Sequence, residues 1–243
     1  MAKIYIGIGH GGSDSGAVAN GFEEADLNLS IGRACVAELR RHGVDVLVSR
    51  TVDLTESLSA KIKECNAFKP DLCADIHINA GGGDGAEIFH TVSGGKGKTL
   101  GQNILEEIKL LGQNSRGLKT RARSDGKDYY GFIRETIAPA VIIECAFIDN
   151  KKDLSAIDTE GERMAFGKAI AKGFLKSLGI TYQPEKAEAK EAAYKDAAEI
   201  PAWAKEAVAY VSQKGYMEGS GGYFRPDQPI TRAEIAVILH RLK

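Results

Sequence analysis

Four stretches place proton-carrying or metal-binding side chains among glycines or apolar neighbours. The first is GIGHGGSDSGAV, residues 7–18, where the apolar run KIYIGI passes into a glycine-rich loop carrying His10. Glycine permits positive φ and close backbone approach, so the loop is shaped to present one imidazole. The Lys-Ser/Thr of a P-loop and the GxGxxG spacing are both missing, which argues against phosphate cradling. The second is LCADIHINA, residues 72–80. A two-residue period puts Leu72, Ala74, Ile76 and Ile78 on one strand face and Asp75, His77 and Asn79 on the other. Three polar side chains on one face are costly unless satisfied or functional, so a hydrogen-bonded cluster, an exposed face and a working site all stand as readings. The third is Glu144 inside VIIECAF, a carboxylate that must find a partner, a metal or a raised pKa. A paired structural residue is its plainer reading. The fourth is NGFEEADLNL, where Glu23, Glu24 and Asp26 open a helix. Negative charge suits a helix N-terminus in any case, and the pattern does not choose between the two glutamates.

Two histidines and a glutamate from separated loops and strand ends match an open zinc site, in which three nitrogen or oxygen ligands leave a position for water. No HExxH-type motif supplies a second ligand by spacing. Asp75 and Asn79 are candidates to support His77 from behind. His42 has a helix-end explanation, and His90 lies on a neighbouring strand. Cys145 is turned by alternation to the face opposite Glu144, which predicts packing and not ligation.

The elements that must hold these groups alternate as far as residue 179. Leu27, Ile31, Cys35 and Leu39 mark one helical face, closed by Arg40, Arg41, His42 and Gly43. VDVLVS is the next strand. Leu54, Leu58, Ile62 and Cys65 give a second helical stripe, and Leu100, Ile104, Ile108 and Leu111 a third. LCADIHINA, GAEIFHTV and PAVIIECAFI read as strands, and Phe166, Ile170, Phe174 and Leu178 as a closing helix. The expectation is an α/β domain over 1–179, with a mixed sheet covered by helices. Residues 180–193 are rich in Ala, Glu and Lys and read as a semi-rigid linker. Residues 194–243 regain apolar periodicity at Ala204, Val208 and Val211, then at Ile235, Ile238 and Leu242. They predict a small all-α helix-loop-helix module whose last helix opens on a Thr231–Glu234 capping box.

With 243 residues there is ample chain for a real core, and a net charge of −1 without a basic block disfavours a nucleic-acid partner. No run approaches the ~20 apolar residues of a membrane span. The run Ile4–Ile8 is too short for the ~7–15-residue core of a signal peptide, and cleavage beyond it would remove His10. The expectation is a chain made in the cytoplasm without a leader. Its cysteines, 35, 65, 73 and 145, are expected as free thiols.

In order along the chain, GHGGSDSGA, EADLNL, DIHINA and AVIIECAFIDN resemble the zinc-dependent N-acetylmuramoyl-L-alanine amidases of the amidase 3 type, over about residues 1–179. The resemblance implies Zn2+ held by His10, Glu24 and His77, with Glu24 chosen over Glu23 by its place two residues before Asp26. It also implies Glu144 as the catalytic general base and acid. The substrate would be peptidoglycan, cut at the amide between the muramic acid lactyl group and L-alanine. Residues 194–243 resemble an S-layer homology (SLH) motif through Tyr194-Lys195-Asp196, Trp203 and GYFRPDQPITRAE. That likeness implies binding to a secondary cell-wall polymer, with Trp203 and Arg232 as candidate contacts; a purely structural docking unit is the plainer alternative. SLH regions usually join three motifs and this chain carries one, so a homo-oligomer, a trimer, is expected. Without a leader, a phage-type endolysin acting on the wall after membrane breach is the favoured setting. A zinc peptidase cutting another stem-peptide bond, and a non-catalytic wall or S-layer anchor, are the competing readings.

Overall fold

The computed structural model describes residues 1–184 and 194–241, which form two compact units, Met1–Tyr182 and Gln183–Lys243. In the first, β1 (Lys3–Ile8) leads through a two-stranded ribbon, β2 (Val18–Ala19) and β3 (Phe22–Glu23), into α1 (Glu24–Arg41). There follow β4 (Asp45–Val48), α2 (Leu58–Phe68), β5 (Leu72–Asn79), β6 (Ala86–His90), α3 (Gly95–Lys109) and β7 (Ser115–Lys119). The unit closes with α4 (Gly131–Glu135), β8 (Ala140–Phe147), α5 (Lys151–Leu154) and α6 (Glu160–Ser177).

Six strands form one sheet in the order β4-β1-β5-β8-β6-β7. The first four run parallel, β6 runs antiparallel to β8, and β7 runs parallel to β6. β1 and β8 are nearly continuous apolar runs because both faces of a central strand are covered, the pattern expected for the middle of a parallel sheet. One face packs under α1, α3 and α6, where Leu27, Ile31, Cys35 and Leu39 are buried with Ile104, Phe166, Ile170 and Phe174. α6 comes close to its neighbours because Gly167 and Gly173 have no side chain: a Cβ would stand 2.5 Å from Ile31 O and from Ile104 Cα, respectively. The other face is only half covered. α2 and α4 seal its lower part with Ile62, Cys65, Phe132 and Ile133 over Tyr5, Cys73 and Ile142. The upper part, at the C-terminal ends of β5 and β8, carries polar side chains.

The mixed α/β expectation holds, with adjustments at element ends. α2 starts at Leu58, not Leu54, because the Ser57 hydroxyl accepts from Ala60 N (3.2 Å) and caps it there, leaving Leu54 exposed. α3 ends at Lys109, before Leu111. Gly43 has φ +73 behind α1, as its place after the helix end predicts. Ile180 and Tyr182 pack on the first unit. The rest of the expected linker, residues 185–193, lies outside the described residues. All four cysteines are buried free thiols. Among the described residues no helix is long and apolar enough to cross a membrane.

The second unit holds a 3-10 turn (Ala197–Glu199), α7 (Lys205–Gln213) and α8 (Arg232–Arg241). Asp196 ties its two halves by accepting from Phe224 N (2.9 Å) and Arg225 N (2.7 Å). The capping box forms: Glu234 accepts from Thr231 N (2.7 Å), and Thr231 Oγ1 accepts from Glu234 N (3.2 Å). Leu242 lies outside the described residues.

Candidate metal centre and active site

The polar groups gather where the parallel strands end. His10 follows β1 in the left-handed region (φ 58), a conformation that costs a non-glycine residue about 1 kcal/mol. The loop holds it there. Gly11 N donates to Asp14 O (2.7 Å), and His10 Nδ1 lies 2.9 Å from Asp14 Oδ2. Arg50, buried beneath, donates to Gly9 O (3.1 Å) and Ala25 O (2.6 Å) and so pins the loop to α1. Glu24, first residue of α1, is buried and accepts from Ala17 N, Asn28 Nδ2 and Ile78 N. His77 stands near the end of β5. Its Nδ1 is 3.0 Å and His10 Nε2 is 3.3 Å from Glu24 Oε1, and the two rings meet edge to face at 5.1 Å.

Each ring nitrogen has a definable state. A carboxylate only accepts, so His10 Nδ1–H donates to Asp14, and His77 Nε2–H points to Asp75 Oδ2 at 3.4 Å. His10 Nε2 and His77 Nδ1 both face the same acceptor, Glu24 Oε1, so without a metal each donates a proton to it, and with those protons removed both lone pairs converge on one place. Lone pairs aimed at a carboxylate need a cation between them, a proton or a metal ion. One donor atom from each of His10, Glu24 and His77 lies within 4.8 Å of the others. Zinc–ligand bonds of about 2.0–2.2 Å at a tetrahedral angle put ligand atoms roughly 3.4 Å apart, close to these separations. Two imidazoles and one carboxylate fit zinc. The glycines make the room. A Cβ on Gly16 (φ +64) would stand 2.7 Å from both Glu24 Oε2 and His10 Cδ2, and one on Gly9 would collide with the His77 ring.

Protonation follows this geometry. Burial opposes the charge on Glu24, but hydrogen bonds from His10 and His77 hold its carboxyl well below the usual carboxylate range. Burial likewise opposes a charged His77, yet Asp75 and Glu24 outweigh it and raise its pKa to about 10. His10 is raised chiefly through Glu24. Protons and a metal ion thus compete for the same two nitrogens.

Glu144 stands beside this cluster. It is the cross-strand partner of His77 on β5 and of Glu87 on β6, so three side chains form one row across the sheet. Burial, helped by the nearby Glu24, Glu87 and Asp75 carboxylates, raises its pKa to about 7. A carboxyl so poised can take and return a proton near neutral pH.

Sequence reasoning flagged Asp75, which backs His77, but Asn79 turns elsewhere and donates to Glu87 Oε1 (3.0 Å). Besides Arg50, it missed four contributors. Asp14 sits one loop turn beyond His10. Lys61, buried in α2, clamps Asp75 at 2.8 and 3.1 Å. Glu87 carried the same signal as Glu144, a lone acid in an apolar strand, while Arg116 lay in a segment with no strand pattern. His90 is buried against Thr91 O (2.8 Å), outside the cluster, and Cys145 lies in the main core. In the second unit Trp203 is 87% exposed ahead of α7, and Arg232 is the exposed first residue of α8. A groove there is lined by Tyr216, Phe224, Ile230, Val237 and Arg241, and neither Trp203 nor Arg232 lines it.

Comparison with known proteins places the chain in a family. Residues 4–176 match the Amidase_3 family, N-acetylmuramoyl-L-alanine amidase, and residues 193–236 match the S-layer homology domain. The N-acetylmuramoyl-L-alanine amidase CwlM of Bacillus licheniformis is 35% identical over 190 residues, which cover 76% of this chain and 71% of the relative. The endolysin of Bacillus phage SPP1 is 33% identical, covering 74% of this chain and 68% of its own length. Among solved structures, Cwp6 from Clostridium difficile superposes with a TM-score of 0.72 at 36% identity, over 73% of this chain and 29% of that one. The chain belongs to the Amidase_3 family of N-acetylmuramoyl-L-alanine amidases and carries an S-layer homology domain behind the catalytic fold.

Proposed function

We propose that this chain is a zinc-dependent N-acetylmuramoyl-L-alanine amidase whose metal is held by His10, Glu24 and His77 and whose general base and acid is Glu144. The observation that carries the reading is the convergence of His10 Nε2 and His77 Nδ1 on Glu24 Oε1, with Glu144 next in the row. A bound zinc ion lowers the pKa of water toward 7 and polarises a carbonyl. The protein's own part is to orient and to move protons. Asp14 and Asp75 hold the two imidazoles in the tautomers that free the inward nitrogens. Glu144 accepts the proton of the attacking water and returns it to the nitrogen of L-alanine as the bond to the lactyl carbonyl breaks. A pKa between that of an ordinary carboxylate and neutrality suits both transfers.

The domain division follows the same reading: catalysis over 1–179, a linker over 180–193, and wall attachment over 194–243. The SLH module binds a secondary cell-wall polymer, with Trp203 offering an aromatic face to sugars and Arg232 a charge to acidic groups. α8 has no buried residue, and Ile235, Val237 and Leu239, 42–59% exposed and spread around the helix, leave apolar surface for self-association through this module; a trimer would rebuild the usual set of three motifs. Light scattering at micromolar concentration tests that: a monomer would overturn it. The zinc assignment is tested by metal content after dialysis. One zinc per chain is expected, falling well below that in His10→Ala, Glu24→Gln and His77→Ala. Full occupancy in all three variants would refute the ligand set.

A further inference from the structure

The row that begins with His77 and Glu144 continues past the proton-transfer residues. On β6, Glu87 is buried and both its oxygens are taken: Oε1 accepts from Asn79 (3.0 Å) and Oε2 from Arg116 Nε (2.8 Å). Arg116 reaches it because β7 is irregular at that point. Ala86 pairs with Ser115 but Glu87 pairs with Gly117, so Arg116 is the extra residue of a bulge. Bulges re-aim side chains, and this one turns Arg116 onto the open polar half of the sheet. Its guanidinium lies 5.0 Å from the centre of the Phe147 ring, and the side chain is 40% exposed. A guanidinium has two edges that fit a carboxylate. Glu87 occupies the edge that includes Nε, and the ring fixes the plane. Among the described residues the two Nη groups meet no hydrogen-bond acceptor, so the edge they form is open to solvent.

We infer that Arg116 is a specificity-determining residue that binds a carboxylate on the second residue of the stem peptide. The inference rests on the amidase reading above. The glycan beside a muramoyl–alanine bond is uncharged, whereas the peptide side bears free acids, so a fixed cation in this row faces peptide chemistry. The spacing agrees. Neighbouring strands are about 4.8 Å apart, which puts the Glu87–Arg116 pair roughly 5–10 Å from Glu144. A peptide advances about 3.5 Å per residue, so that span reaches the second residue beyond the scissile amide.

The test uses two synthetic muramoyl peptides that differ only at the second residue, one with a free α-carboxylate and one with the carboxamide. Zinc-loaded wild-type protein is expected to favour the acid by about 10-fold or more in kcat/KM, the scale of a lost charge-assisted hydrogen bond. Arg116→Gln is expected to bring the ratio to near one, with the change in KM for the acid, and Arg116→Lys to keep part of it. An equal rate on both peptides in the wild type would overturn the inference without any variant, as would an unaltered preference in Arg116→Gln. If Arg116 served only to neutralise Glu87, kcat would fall on both peptides and the preference would persist. Cleavage at a different bond would instead overturn the amidase reading, and this inference with it.

Discussion

Lys61→Met isolates what holds His77 from behind. Lys61 and Asp75 are 5% and 3% exposed, and Lys61 Nζ donates to both Asp75 oxygens at 2.8 and 3.1 Å and to Ile8 O at 3.2 Å. Removing the ammonium leaves a buried carboxylate whose remaining charged neighbour is the His77 ring at 3.4 Å. Breaking a buried pair from one side costs about 3–5 kcal/mol, because the surviving charge loses its partner without regaining water. For a unit of this size 1 kcal/mol is worth about 2–4 °C, so Tm should fall by roughly 6–20 °C. The pH dependence has a definite sign. Burial opposes ionisation of Asp75, and Lys61 and His77 overcome it, so its folded pKa lies below the usual carboxylate range. Its contribution is therefore complete above about pH 4, the unfolded pKa, and is lost as pH falls through the folded value. The gap between wild type and variant should narrow between pH 7 and pH 4, because in the variant the buried carboxyl of Asp75, without its ammonium partner, takes up a proton at higher pH than in the wild type and then needs no cation. Thermal unfolding of metal-free protein at pH 7 and at pH 4 measures both effects, with the exposed Lys63→Met as control. A Lys61→Met shift no larger than that control would refute the claim that this pair is a closed, interdependent charge pair.

Four further outcomes are expected. Glu144→Gln should retain zinc and fold but lose about 10²–10⁴-fold in kcat, the scale of general acid–base catalysis, as measured by release of peptide from walls. With Glu144 as the proposed base the active form would have it ionised, so activity should fall on the acid side; a bound cation would draw its pKa down from about 7, which places that limb between the ordinary carboxylate range and 7. Gly16→Ala should cut zinc affinity by about 10-fold or more, seen by competition with a chromogenic chelator, because the residue needs a left-handed backbone and its Cβ meets two ligands. Asp196→Ala should lower the unfolding transition of the SLH unit and weaken polymer binding while leaving amidase activity on soluble fragments in place, since its two backbone bonds join the halves of that unit.

What the sequence disclosed depended on whether a residue broke a local pattern. The alternation in LCADIHINA placed Asp75, His77 and Asn79 on one face correctly, because a half-open strand must separate its two sides. Glu144 stood out for the same reason. The capping box at Thr231 and the glycine after α1 were legible because they answer to unsatisfied backbone groups at helix ends. Lys61 was not, since a lysine on a helix normally reads as solvent-facing and only Asp75 opposite explains its burial. β7 carried too little: SRGLK is short, polar, glycine-containing and at the sheet edge, so no periodicity announces it. Arg116 depends on a bulge, a register feature visible only once strands are paired. Leu54 misled because its four-residue spacing continued the α2 stripe backwards past the Ser57 cap. Nothing local chose Glu24 over Glu23. The resemblance chose it, and the fold shows Glu24 buried between the two imidazoles while Glu23 remains exposed.

In the proposed mechanism His10, Glu24 and His77 hold zinc while Glu144 moves the protons that open the muramoyl–alanine amide. The most direct measurement is the identity of new amino termini in purified cell walls digested by the intact protein, by protein stripped with a chelator, and by stripped protein given zinc. New N-terminal alanine is expected, absent after stripping and restored by zinc. New termini at another residue, or alanine released equally well by stripped protein, would contradict it.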